Sequence, residues 1–255
     1  MAYIISLANQ KGGVGKTTTA VNLGADLATL GKKVLLVDVD AQGNATSGVG
    51  ISKARIHKDM YDVLVNREPL KNIIMQTSHK RLEIAPATIQ LSGADVELTP
   101  MIARETRLTE ALKPVKADYD FILIDCPPSL GLITINAFSA SNSILIPVQS
   151  EYYALEGLSQ LLNIMKLVRE HFNPDLSLEG VLITMFDART RLGKQVNQQV
   201  REYFKNLVYK TVIPRNVRLS EAPSHGVPIS DYDPRCKGAK VYMQLAKEVL
   251  AAHGK

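Results

Sequence analysis

The sequence predicts an α/β chain: a mainly parallel, twisted sheet with helices on both faces. Short apolar runs alternate with helix-period patterns along most of its length. Runs such as Phe121-Ile122-Leu123-Ile124 and Ile144-Leu145-Ile146 are apolar throughout, as strands buried on both faces are. A glycine-rich turn joins the first apolar run to the first helical pattern, a strand–turn–helix order typical of such folds.

Taken in order, Tyr3–Ala8 reads as a buried strand and Thr18–Leu30 as a helix that Gly31 stops. Strands follow at Lys33–Asp38, Leu82–Pro86, Asp120–Asp125, Ser143–Val148, Leu178–Thr184 and Val208–Ile213. Pro174 closes a helical pattern running from Ala154 to Phe172, and Gly238 precedes a last helix through Leu250. Residues 52–118 carry the weakest pattern, and their Ile73-Ile74 and Leu91–Glu97 segments are open to core or partner surface. No linker, repeat or low-complexity tract interrupts the chain, so a single domain over residues 1–255 is expected. That length buries a core without disulfides or structural metal. With an apolar run starting at Tyr3 and no run as long as a membrane span, the expectation is a soluble, cytoplasmic protein. The two cysteines, Cys126 and Cys236, lie in no C-x-x-C or Cys/His cluster and read as reduced thiols.

The turn carries the chemistry. Lys11-Gly12-Gly13-Val14-Gly15-Lys16-Thr17-Thr18 ends in the Gly-Lys-Thr of a phosphate-binding loop, but Gln10 stands where the ordinary loop has its first glycine, and Lys11 follows it. It is a deviant Walker A sequence, and the fold expected is that of a P-loop NTPase. Glycines let the backbone approach the phosphates, and the helix N-terminus favours negative charge. Lys16 is expected on the β- and γ-phosphates and the Thr17 hydroxyl on Mg²⁺.

Ligands of open α/β sheets bind outside the carboxyl ends of the strands, which draws Lys11–Thr18, Asp38–Asn44, Asp125–Ser129 and Pro214–Leu219 together. Val34–Asp40 ends in two aspartates. Asp38 suits Mg²⁺ held through water, and Asp40 suits orienting a water in line with the γ-phosphate. Asp125, before Cys126-Pro127-Pro128, occupies a Walker B position on the metal's water shell. Each aspartate alone would read as a turn former or helix cap; three at sheet ends beside a phosphate loop favour the site.

Five motifs in one order, KGGVGKTT (11–18), VLLVDVDAQGNATSGVG (34–50), FILIDCPPSLG (121–131), SEYYALEGLSQL (150–161) and VIPRNVRLSEAPSHGVPI (212–229), resemble the ParA/Soj family of deviant-Walker ATPases, short chromosomal type, from about Tyr3 to Leu250. The resemblance implies an ATP- and Mg²⁺-dependent ATPase of chromosome or plasmid partition. In that picture two copies sandwich two ATP molecules, the dimer binds double-stranded DNA without sequence preference, and a ParB/Spo0J-type partner stimulates hydrolysis at the nucleoid. It further implies that Lys11 reaches the partner copy's nucleotide, that Gly12 faces the dimer, and that Pro214 and Asn216 touch the adenine. Glu151 is assigned to the dimer interface or the ribose, and Arg189 and Arg218 to DNA.

Composition agrees with a polyanionic partner. The formal net charge is +5, and from Asp187 to Lys240 there are 11 Lys/Arg against 5 Asp/Glu, so the C-terminal third carries the whole excess. Phosphate contacts give affinity without sequence information, and no helix-turn-helix or aromatic platform points to base reading. A membrane-bound relative of MinD type would instead need an amphipathic last helix. Val241, Leu245 and Val249 give that helix a weak stripe better suited to packing on the sheet. An iron–sulfur reductase would need more cysteines, and a non-enzymatic DNA binder would have no use for Lys16, Thr17, Asp40 and Asp125 together.

Overall fold

Parity along the strands builds the two faces of the sheet. Phe121 and Leu123 face one side and Ile122 and Ile124 the other, each lying in a separate hydrophobic core. The computed structural model describes residues 1–150 and 156–254. Its strands are β1 (Tyr3–Leu7), β2 (Val34–Asp38), β3 (Met75–Gln76), β4 (Leu82–Ala85), β5 (Phe121–Asp125), β6 (Ser143–Gln149), β7 (Ser177–Phe186) and β8 (Val208–Pro214). They form one sheet in the order β3-β4-β2-β5-β1-β6-β7-β8, parallel except for the β3–β4 pair.

Helices Lys16–Thr29 and Lys237–Ala252 cover the face that holds Phe121 and Leu123. The other face is covered by Met60–Leu64, Arg107–Leu112, Leu132–Ala140, Glu156–His171 and Arg191–Phe204. In the last helix Tyr242, Leu245, Ala246 and Val249 are buried, and the Tyr242 hydroxyl meets Thr19 Oγ1 at 3.2 Å. Its apolar stripe is therefore used inside the fold, with Val241 only at its margin.

All seven strands expected from the sequence are present, with ends displaced by one or two residues; the two-residue β3 is additional. Gly238 corrects one expectation. It lies inside the first turn of the last helix rather than before it, where an added Cβ would stand 3.0 Å from Leu219 Cγ. Gly31 ends the first helix as expected, in a left-handed conformation with φ of +93°. Apart from β3 and β4, residues 52–118 form short helical turns; Ile73, Leu91 and Ala94 join the core, while Val96 is exposed.

Asp26, on the first helix, is buried with neither carboxylate oxygen hydrogen-bonded among the described residues. Burial first, and then the charge of Asp231, push its pKa from 3.8 up to about 7. Between those values only the folded chain holds the proton, so stability falls as pH rises through the window, by up to about 4 kcal/mol. We expect the stability advantage of Asp26→Asn over the wild type to be about 2–3 kcal/mol larger near pH 8 than near pH 5, as read by urea unfolding. An equal effect at both pH values would refute the assignment.

Candidate functional site

The glycine turn is held open by side chains beneath it. Asn9 donates from Nδ2 to the Pro147 carbonyl at 2.7 Å and accepts the Lys11 N–H at 3.0 Å, while Thr184 on β7 donates to the Val14 carbonyl at 2.8 Å. Gly15 caps the first helix with φ of +89°, a backbone that side-chain-bearing residues rarely adopt. Lys11, Gly12 and Gly13 are exposed, Val14 is buried, and an added Cβ on Gly12 would meet nothing within 4 Å. Among the described residues nothing therefore demands glycine at position 12.

Lys16 is 6% exposed, and its ammonium donates to the Lys11 carbonyl at 3.4 Å. Burial lowers its pKa, opposed by the charges of Asp125 and Asp40. Asp125 ends β5 opposite Asp38 of β2 and Leu7 of β1. It is fully buried, and neither of its oxygens has a hydrogen-bond partner among the described residues. Burial and the neighbouring Asp38 raise its pKa well above the ordinary range. Thr17 and Lys16 lie near enough to favour the charged form, the Thr17 hydroxyl without closing a bond of normal geometry.

Asp38 differs. Its Oδ2 accepts from Thr46 N–H at 2.9 Å and Thr46 Oγ1 at 2.7 Å, and its Oδ1 accepts from Asp40 N–H at 3.1 Å. Burial raises its pKa to about 6, partly offset by those bonds. Asp38 thus anchors the turn that presents Asp40, which is half-buried and accepts the Gln42 N–H at 2.9 Å. Gly43 completes that turn with φ of +59°; a Cβ there would lie 2.6 Å from the Ala87 carbonyl. Thr46, Asn9 and Thr184 support the site but matched no motif role; Thr46 is readable only as a small polar residue inside an otherwise buried stretch.

On the other side of the loop a cavity of about 260 Å³ joins Gly15 and Thr18 to Thr184, Met185, Pro214 and Asn216. Met185 has φ of +50°, a strained backbone of the kind found at ligand sites. Asn216 caps the Val217–Glu221 turn by accepting the Arg218 N–H at 2.9 Å. Arg189 and Arg218 follow the carboxyl ends of β7 and β8, and both engage carboxylates. Arg189 forms two bonds to Asp187 at 2.9 and 2.8 Å, and Arg218 reaches Glu221 at 2.8 Å and Asp233 at 3.7 Å. Glu151 lies outside the described residues. Cys126 is buried beside Asp125, and Cys236 caps the last helix by accepting the Ala239 N–H at 3.3 Å.

Residues 2–178 match the family model described as AAA domain. The sporulation initiation inhibitor protein Soj of Bacillus subtilis (strain 168) is 64% identical over 98% of this chain and 99% of its own length. The chromosome partitioning protein ParA of Myxococcus xanthus (strain DK1622) is 53% identical over 97% of this chain and 87% of its own. Among solved structures, cobyrinic acid a,c-diamide synthase from Mycobacterium smegmatis with bound ADP and magnesium is similar with a TM-score of 0.88. It is 33% identical and covers 100% of this chain and 96% of its own.

Thr46 also accepts the Ala87 N–H at 3.0 Å, so its hydroxyl serves two buried groups. Thr46→Val leaves both short of a partner and is expected to destabilise the fold by about 1–3 kcal/mol in urea unfolding. A loss of only a few tenths would show that the Asp38 anchor is dispensable.

Proposed function

Since this chain belongs to the Soj/ParA family of chromosome-partitioning ATPases, we propose that it works as an ATP-driven assembly switch in chromosome or plasmid segregation. Two ATP-bound copies pair, the pair holds duplex DNA without sequence preference, and hydrolysis returns the copies to single chains. A ParB/Spo0J-type partner accelerates that return. The observation that carries the reading is Asp125, a buried carboxylate without a hydrogen-bond partner among the described residues, set beside Thr17 and Lys16 under a glycine loop.

That arrangement suits Mg²⁺ with a nucleotide. Among the described residues no group of His, Cys, Asp or Glu could hold a metal unaided, so phosphate oxygens would have to complete the shell around Thr17, Asp125 and, through water, Asp38. Bound Mg²⁺ would bridge those oxygens and neutralise charge during transfer. The N–H groups of Gly12 to Thr18 cradle the phosphates, and Lys16 places its charge on the β- and γ-phosphates. Asp40, held by the Asp38 anchor, orients the attacking water. Lys11 acts on the partner copy's nucleotide, and exposed Gly12 leaves room for that copy to approach. The cavity at Pro214 and Asn216 receives the adenine.

Arg189 and Arg218 lead the phosphate contacts of the DNA face. A membrane anchor at the last helix is disfavoured because its apolar stripe packs in the core, and among the described residues no helix is long and apolar enough to cross a membrane. We place the protein in the cytoplasm, on the nucleoid, as a single ATPase unit.

We expect binding to random-sequence duplex DNA to require ATP rather than ADP. Its log–log salt slope should be roughly −3.6, the value for about four phosphates per assembly. Arg189→Glu should lose DNA while keeping ATP-dependent assembly by size-exclusion chromatography. Binding that ignores the nucleotide would overturn the switch. Lys16→Ala should abolish ATP-dependent assembly, whereas Asp40→Ala should assemble but release phosphate at least about a hundredfold more slowly. Normal turnover by Asp40→Ala would remove its proposed role.

A further inference from the structure

A cavity of about 440 Å³ opens between the Leu70–Asn72 turn and the helix Arg107–Leu112. It shares no lining residue with the glycine loop or with the cavity at Pro214. Its floor is Val63, Leu70 and Val115, from the core on the sheet face opposite the first and last helices. Its walls carry Arg67, Lys71 and Arg107.

Arg107 is incompletely satisfied. Its Nε is sealed from solvent with no hydrogen-bond partner among the described residues, and Nη2 donates to the Met101 sulfur at 3.3 Å. Burial and the nearby charge of Arg67 lower its pKa, the opposite of what a paired carboxylate would do. The acids at the rim are engaged elsewhere: Glu68 with Lys58 at 2.7 Å and Asn72 at 2.8 Å, Glu110 with Lys113 at 2.6 Å. Two residues of the wall, Arg67 with φ of +59° and Ala103 with φ of +55°, hold left-handed backbone. Such strain in side-chain-bearing residues gathers at binding sites.

A half-buried guanidinium with a sealed, unpaired Nε beside a second cation, above an apolar floor, lacks an anion. The fork of an arginine matches two oxygens of a carboxylate or phosphate, and the volume falls within the roughly 300–1,000 Å³ of small-molecule sites. We propose that this cavity binds a small organic anion: a carboxylate or phosphate monoester carrying a compact apolar group. Arg107 takes the anion on the part of its guanidinium that lines the cavity, Arg67 adds the second charge, and the apolar group lies on Val63, Leu70 and Val115.

The test titrates the ¹⁵N-labelled full chain with benzoate, phenyl phosphate and, as a neutral control, benzyl alcohol. ADP and Mg²⁺ are present throughout to occupy the glycine loop. The Arg107 Nε–Hε signal should shift saturably with both anions and not with benzyl alcohol. Arg107→Gln should weaken benzoate binding by about tenfold or more, the effect of losing one charge-assisted hydrogen bond. Arg67→Asn changes an exposed residue to one that tolerates the left-handed backbone, so it tests the charge even where Arg107→Gln fails to fold. It should weaken benzoate severalfold. No shift with either anion, an equal response to benzyl alcohol, or unchanged affinity in both variants would overturn the proposal.

Discussion

Parallel pairing sets Leu7, Asp125 and Asp38 at one level across β1, β5 and β2, and the geometry of the site hangs from that register. Asp125 shares the parity of Phe121 and Leu123, and Asp38 that of Val34 and Leu36, whose face the first helix covers. Both carboxylates therefore emerge on the side where Lys16 and Thr17 begin that helix. A slip of one residue would send either aspartate into the opposite apolar core, away from Lys16. The apolar strands thus do more than stabilise the sheet: they fix which side of it carries the charge.

Two buried carboxylates side by side repel, and the protein resolves the conflict asymmetrically. Asp38 is compensated internally by Thr46 and the Asp40 amide, so it can remain in place as a structural anchor. Asp125 receives no such bonds, and burial raises its pKa accordingly. A group left in that state favours proton or cation, and Lys16, itself weakened as a cation by burial, cannot fully offset it. The two groups together suit a ligand that brings positive charge to Asp125 and negative charge to Lys16, as the proposed nucleotide with its metal would.

What the sequence disclosed and what it hid follow from the same physics. Strands buried on both faces are contiguous apolar runs, so β1, β2, β5 and β6 were legible, as were β4, β7 and the edge strand β8 from shorter apolar stretches, the loop and the strand-end aspartates. The two-residue β3 offers too few side chains for any period to register. The turns of residues 52–118 are each too short to show a helical stripe. Their burial depends on the sheet they cover, so Ile73 and Val96 could not be told apart by hydrophobicity. Asn9, Thr46 and Thr184 act through a few hydrogen bonds to groups elsewhere in the fold, which leave no spacing to recognise. Arg189 and Arg218 were found as charges, but their carboxylate partners were not.

Those partners bear on how a DNA-binding switch of the proposed kind could work. In one copy Asp187 neutralises Arg189, and Glu221 with Asp233 compensates Arg218, so neither arginine projects an unopposed charge. Because exposed pairs of this kind are worth little, a DNA phosphate can replace the carboxylate at small net cost, yet each replacement also gains little. Affinity must then come from the number of phosphates met at once. Joining two copies into one rigid body doubles that number and makes the second set of contacts intramolecular. Carboxylates that oppose DNA binding would keep the single chain off DNA, leaving nucleotide-driven pairing to decide when it binds.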